Sequence, residues 1–310
     1  MKISVNTGLL FNRLGIEKTF EALAEAGFDC VDLNLDVLCG LDWKGLQLGT
    51  PSPFFDDPEN MRKTLDEIKA AVNKTGVTVG QIHTPFPVFM RGHDLANRNM
   101  LRYTLQSLDI SHELGCDRVV VHPLFDGNMR GEPSSRDEEW GWNIDFYSRL
   151  IPKLKEYGIT CCLENMWASD GRYKMIYVTV CSEMKDACRY IDKLNEMAGQ
   201  KCFGFCLDIG HLALLGIDCY QAIMDLGDRL TALHIHDNSG HSDDHVMPYT
   251  GIILWERFLK GIAESGYQNS LSFETDSGNN KVPDDFVPEL LKMVGMVGKY
   301  FDRRIAEMRK

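Results

Sequence analysis

The chain has 310 residues, 44% of them hydrophobic, and a formal net charge of −12. That length and apolar content allow a sizeable core, and the acidity argues against a nucleic-acid partner, because polyanions are repelled over most of the surface. No apolar run approaches the roughly 18 residues that span a bilayer, so no membrane association is expected.

The N-terminus, Met1-Lys2-Ile3-Ser4-Val5-Asn6, reads as a strand and not as a signal peptide. Ten cysteines are scattered with no C-x-x-C, and Cys161, Cys162 and Cys206 lie inside apolar runs. They read as buried free thiols in a reducing compartment, so the expected location is the cytoplasm.

Strand-length apolar runs alternate with helical periodicity throughout. The order begins with strand Ile3–Thr7, helix Ile16–Ala26, strand Cys30–Asn34, helix Pro58–Lys74, strand Val77–His83 and helix Asp94–Leu114. It continues with strand Arg118–His122, helix Glu139–Tyr157, strand Ile159–Glu164, helix Glu183–Met197 and strand Phe203–Asp208. Helix Cys219–Leu226, strand Ala232–His236, helix Trp255–Ser265, strand Ser270–Glu274 and helix Pro283–Met308 complete it. Leu65, Ile68, Ala71 and Val72 form the core-facing stripe expected of such a helix. Many helix-to-strand joints carry Gly, as at Gly27, Gly76, Gly115, Gly158 and Gly266, which suits a left-handed helix end.

Strict alternation implies right-handed crossovers and a parallel sheet. Eight units in this length predict one (β/α)₈ TIM barrel, with residues 1–310 as a single domain. An open doubly wound sheet is the rival, but no G-x-G-x-x-G follows the first strand. Two long connections, Leu35–Asp57 and Pro123–Glu138, fall on the face where barrels build active sites. Each reads as a lid or as surface decoration. The basic run Lys299 to Lys310 reads as a solvated helix end.

Four consecutive strands end in residues able to bind a hard divalent cation: Glu164, Asp208, His234 and Glu274. In a barrel these ends converge on one mouth. An acid in that position is individually often only a helix N-cap. Four in succession point to a metal site, and three carboxylates with one imidazole suit Mn²⁺, the expected ion, as well as Mg²⁺, Co²⁺ or Zn²⁺. His83 and His122 end the third and fourth strands, which makes them candidates for substrate contact. Trp43, Phe54, Phe86, Trp140 and Trp167 are candidates either to cover a substrate face or to pack loops.

The motifs L-Glu164-Asn165, Asp208-x-x-His211, His234-x-His236-Asp237 and Glu274, with Asp243-x-His245-x-x-Pro248-x-x-Gly251-x-x-x-Trp255, resemble the xylose-isomerase-like TIM barrels. That group includes sugar-phosphate isomerases, ketose 3-epimerases and type IV apurinic endonucleases. The resemblance implies that Glu164, Asp208, His234 and Glu274 hold the metal. Glu164 and Glu274 would act as acid and base on opposite faces of a sugar, with His211 beside them. His234 is preferred to His236 because it fits the family pattern; alternation puts both on one face and cannot choose. His83, His122, His236, His245 and Trp167 are then the candidate substrate contacts.

The implied activity is metal-dependent isomerisation or epimerisation of a sugar or sugar phosphate through an enediolate. Its partner is a small sugar or sugar derivative, and a homo-oligomer is compatible. Three alternatives stay open. The type IV endonucleases bind additional zinc through histidines matching His83 and His122 and a pair matching Asp243 and His245, but the long loops here are poor in the basic residues that phosphate contacts need. Large subunits of C-glycoside deglycosidases resemble the same barrel. A barrel that only binds sugar is the third. The ketose 3-epimerases carry an arginine after the strand-seven histidine, where this chain has Asn238-Ser239-Gly240-His241, and a glutamate after the strand-five ligand, where Asp170 is nearest.

Overall fold

The computed structural model describes every residue except 127–133, 171–174 and 276–280. Strands β1 (Ile3–Asn6), β2 (Cys30–Asn34), β3 (Thr78–His83), β4 (Arg118–Val121) and β5 (Thr160–Glu164) are followed by two short strands, β6 (Trp167–Ser169) and β7 (Ile176–Val178). Then come β8 (Phe203–Asp208), β9 (Leu230–His234) and β10 (Leu271–Phe273). Eight of these pair in parallel in the order β10-β1-β2-β3-β4-β5-β8-β9. Ile235 closes the ring: its N–H donates to Ser272 O at 2.8 Å and its carbonyl accepts from Glu274 N at 3.0 Å. The expected TIM barrel is therefore the fold.

Alternation along each strand sorts the residues into two sets. Val5, Val31, Leu33, Ile82, Val119, Val121, Leu163, Phe205, Leu207, Leu233 and Phe273 join the large core under the helices. Val120, Cys162, Cys206 and Ala232 form a separate small cluster. Two residues further along the same strands stand His122, Glu164, Asp208 and His234. A layer of small side chains thus floors the barrel one pleat below the polar strand ends. Cys161, Cys162 and Cys206 are free and buried, as expected.

Several boundaries differ from the sequence reading. The helix expected over Glu139–Tyr157 is two helices, Arg136–Ser148 and Ile151–Tyr157. The first starts at a capping box in which Ser135 and Glu138 satisfy each other's backbone N–H groups, and the second takes Pro152 in its first turn. The connection after β2 holds two short helices, Leu35–Cys39 and Trp43–Leu48. Part of the connection Pro123–Glu138, residues 127–133, lies outside the described residues. The antiparallel pair β6 and β7 was not anticipated. Among the described residues no helix is long and apolar enough to cross a membrane.

The C-terminal helix, Val287–Met308, seals the barrel side next to β1 by close approach. A Cβ at Gly295 would stand 2.4 Å from the carbonyl oxygen of Ala26, and one at Gly298 would stand 2.5 Å from Ile3 Cγ2. Gly295→Ala should lower the urea midpoint. The helix gains about 1 kcal/mol in propensity, but the contact is with backbone that has no rotamer to change, and overpacking costs about 1–3 kcal/mol. A raised midpoint would show that the two helices have slack between them.

Candidate metal centre

Glu164, Asp208 and His234 are the last residues of β5, β8 and β9, and Glu274 directly follows β10. All four are buried. His234 Nδ1 lies 2.8 Å from Glu164 Oε1, 3.4 Å from Glu274 Oε2 and 4.0 Å from Asp208 Oδ2. One imidazole nitrogen is therefore ringed by the three carboxylates expected from the sequence.

The neighbouring backbone fixes this arrangement. Asn165 clamps β5 to β8: its Nδ2 donates to Asp208 O and its Oδ1 accepts from Asp208 N, both at 2.8 Å. Asp208 also caps the helix Ile209–Leu214, accepting from His211 N at 2.7 Å. Capping and cluster membership, alternatives when read from sequence, are both true of this residue. The His211 ring is held by its Nδ1–H, which donates to Asn165 O at 2.6 Å, so Nε2 turns toward Asp243 Oδ2 at 3.2 Å.

Two further groups adjoin the first. His211, His236, Asp243 and His245 bring one ligand atom each within 4.8 Å of one another, and His83, His122 and Glu164 do the same. In the first group His245 Nε2 is 3.1 Å from Asp243 Oδ2, and Trp167 Nε1 donates to that oxygen at 3.3 Å. His236 stacks on His245 with centroids 4.0 Å apart and lies 3.1 Å from Asp208 Oδ1. In the second, His122 Nε2 is 2.9 Å and His83 Nε2 3.8 Å from Glu164 Oε2. Phe86 meets the His122 ring edge-on at 4.7 Å.

All the site residues inferred from sequence thus gather at one mouth, at different depths. His234 and His236 are fully enclosed, whereas the His245 side chain keeps a quarter of its surface. Of the aromatic candidates, Phe54 packs against Phe55 in the core, and Trp140 packs on Tyr190 and Arg189. Those two serve loop and helix packing. Trp43 is about half exposed.

The sequence reading missed Asp32, Asn6 and Gln81. Asp32 is fully buried, and its Oδ2 is 3.1 Å from His234 Nε2. Its one sequence signal is a lone acid inside the apolar run Cys30-Val31-Asp32-Leu33. Asp237 has a different task. It accepts from Asn238 N, Tyr249 N, Ile253 N and Trp255 Nε1 at 3.0–3.1 Å, which folds the loop carrying Asp243 and His245. A Cβ at Gly251 would strike that carboxylate at 2.3 Å.

The electrostatics follow from burial and crowding. Burial opposes ionisation of Glu164, but His234 and His122 outweigh it and hold the carboxyl well below its usual range. Asp208 is likewise lowered against burial by His211 and His236. Burial disfavours the His234 cation, yet the surrounding carboxylates, Glu164 and Glu274 among them, raise it well above the ordinary histidine value. His245 is pushed up to about 10, against burial, by Glu274 and Asp243. His122, by contrast, is lowered by its burial.

The donor set fits a divalent cation. Asp243 Oδ1 is buried with no hydrogen-bond partner, and such an orphan is costly unless something coordinates it. Oxygen and imidazole donors without a thiolate suit Mn²⁺, Mg²⁺, Co²⁺ or Zn²⁺.

A family model described as "Xylose isomerase-like TIM barrel" matches residues 20–293. The chain belongs to this family. A putative hydroxypyruvate isomerase of Streptomyces coelicolor is 23% identical over 92% of this chain and 94% of its own. A ketose 3-epimerase of Arthrobacter globiformis is 24% identical over 92% of this chain and 84% of its own. Among solved structures, the IOLI protein with a bound zinc atom superposes with a TM-score of 0.70 at 16% identity, covering 100% of this chain and 99% of that one. Its likeness is one of fold. These two sequence relatives are named as an isomerase and an epimerase.

In the metal-free protein His234 holds a proton above its ordinary range. A cation at Nδ1 must displace that proton. Divalent-metal affinity should therefore rise with pH, by about tenfold per unit for one displaced proton, until His234 deprotonates unaided. Calorimetric titrations with Mn²⁺ at pH 6, 7 and 8 check this, and a pH-independent Kd would remove His234 from the ligand set.

Proposed function

We propose that the chain is a divalent-metal-dependent isomerase or epimerase of a small sugar or sugar derivative, acting by proton transfer through an enediolate. The observation that supports it most is the ring of three carboxylates around His234 Nδ1. In this reading Glu164, Asp208, His234 and Glu274 hold the ion, which when bound offsets the negative charge that develops on the substrate's oxygens.

The remaining chemistry belongs to the side chains. Glu164 stays ionised at the end of β5, which suits a proton acceptor at a carbon next to a carbonyl. Glu274 approaches from β10, with β8 and β9 between it and β5, so the two carboxylates flank the space above His234. Abstraction by one and return by the other inverts a carbon; return to the adjacent carbon interconverts aldose and ketose. His211, His83, His122 and His245 are the donors and acceptors for hydroxyl groups, the enclosed His236 backs Asp208 instead, and Trp167 beside His211 is an apolar face for the sugar ring. The isomerase and epimerase relatives agree with this chemistry.

A second reading rests on the adjoining groups, His211, His236, Asp243 and His245, and His83, His122 and Glu164. Filled with two more ions, they would make a multinuclear hydrolase centre of the kind implied by the endonuclease resemblance. Metal counting separates the two readings. One equivalent per chain goes with the isomerase, whereas three zinc ions with cleavage of an abasic-site duplex go with the hydrolase.

The direct test incubates Mn²⁺-loaded protein with pooled aldoses, ketoses, their phosphates and C-glycosides in D₂O. Deuterium should enter a single carbon next to a carbonyl. Glu274→Gln should slow that exchange about 100-fold or more, the usual scale of a lost general acid or base. Turnover of any pooled sugar without solvent deuterium would sink the proton-transfer mechanism.

A further inference from the structure

The hydrogen bonds below the carboxylate ring decide which nitrogen of His234 would keep its proton when a cation takes the place of the other. Asp32 Oδ2 receives three contacts: Asn6 Nδ2 at 3.2 Å, Gln81 Nε2 at 3.1 Å and His234 Nε2 at 3.1 Å. Backbone groups orient both amides. Gly8 N donates to Asn6 Oδ1 at 2.8 Å, and Asn34 Nδ2 donates to it at 3.2 Å, so the Asn6 NH₂ must face Asp32. Gln81 Nε2 also donates to Leu233 O at 3.5 Å, so that amide too presents its NH₂. Two fixed donors leave Asp32 Oδ2 only an acceptor's role. The third partner, His234 Nε2, must then carry a hydrogen, so Nδ1, ringed by Glu164, Glu274 and Asp208, is the nitrogen whose proton a cation would displace.

We propose that Asp32 is the positioning residue of the metal centre: it fixes the His234 ring and tautomer and raises the basicity of Nδ1. The proposal rests on the reading of His234 as a metal ligand. An imidazole that binds a metal through one nitrogen ordinarily gives its other N–H to a carboxylate or carbonyl, and loss of that partner weakens the metal. A purely structural role explains Asp32 less well. It is fully buried, its Oδ1 has no hydrogen-bond partner, and its ionic partner is His234. A buried carboxylate so placed is costly where an apolar side chain would pack. Asn6 extends the same network to a second member of the ring, because its Nδ2 also lies 3.4 Å from Glu274 Oε1.

The test uses the full chain. Mn²⁺ affinity is titrated for the native protein and for Asp32→Asn, which keeps the shape and the acceptor oxygen but removes the charge. The expected result is an affinity about tenfold to 100-fold weaker and a shifted Co²⁺ absorption spectrum, with the melting temperature of the metal-free protein not lowered. Equal affinity and an unchanged spectrum in Asp32→Asn overturn the inference while leaving the metal centre standing. Native protein that binds no divalent ion overturns both. If Asp32→Asn does not fold, nitrogen NMR of ¹⁵N-histidine, Zn²⁺-loaded native protein decides, with His234 assigned by its loss in His234→Gln. Protonated Nε2 with metal-bound Nδ1 supports the inference, and the opposite tautomer refutes it.

Discussion

Buried negative charge is the condition on which the mouth of this barrel depends. Asp32, Glu164, Asp208 and Glu274 are all buried, and their ionic partners are histidines. Burying even one carboxylate costs several kcal/mol unless a cation compensates. Histidines supply that compensation conditionally, since each carries charge only while it keeps a proton. The same crowding that raises His234 and His245 suits the site to a metal, whose charge would substitute for protons that the cluster otherwise has to borrow.

The barrel makes such crowding tolerable by layering. Beneath the ionisable ends lie Val120, Cys162, Cys206 and Ala232, which are small and allow strands to converge. Beneath those on the outer faces, large side chains such as Phe205 and Phe273 anchor each strand to its helices. Chemistry and stability occupy different pleats of the same strands, so the polar layer is held by a frame to which it contributes little apolar packing.

Much of this was legible in the sequence for a simple reason. Glu164, Asp208, His234 and Glu274 each follow an apolar run, and a strand's end is where such a run meets the mouth. The helix-to-strand joints were legible too, because Gly27 and Gly158 adopt the left-handed conformation that glycine allows (φ 81° and 67°). Other features left no such mark. β6 and β7 have three residues each, too few to show a period. Asp32 stands within β2, where nothing separates a buried network residue from an acid on a solvent face. Periodicity could not choose between His234 and His236; their contacts differ, since one meets three carboxylates and the other meets Asp208 and stacks on His245. Phe54 and Trp140 sit near the mouth in sequence, but their directions are set by tertiary packing.

Asp237 gathers four hydrogen bonds from across the segment that runs to Trp255, on a backbone whose close approach requires Gly251. The segment between them, which carries Asp243 and His245, folds around that carboxylate next to the strand end. The segment is consequently modular. Changes at its other positions would leave that anchor and the barrel as they are, and with them the placement of Glu164, Asp208, His234 and Glu274.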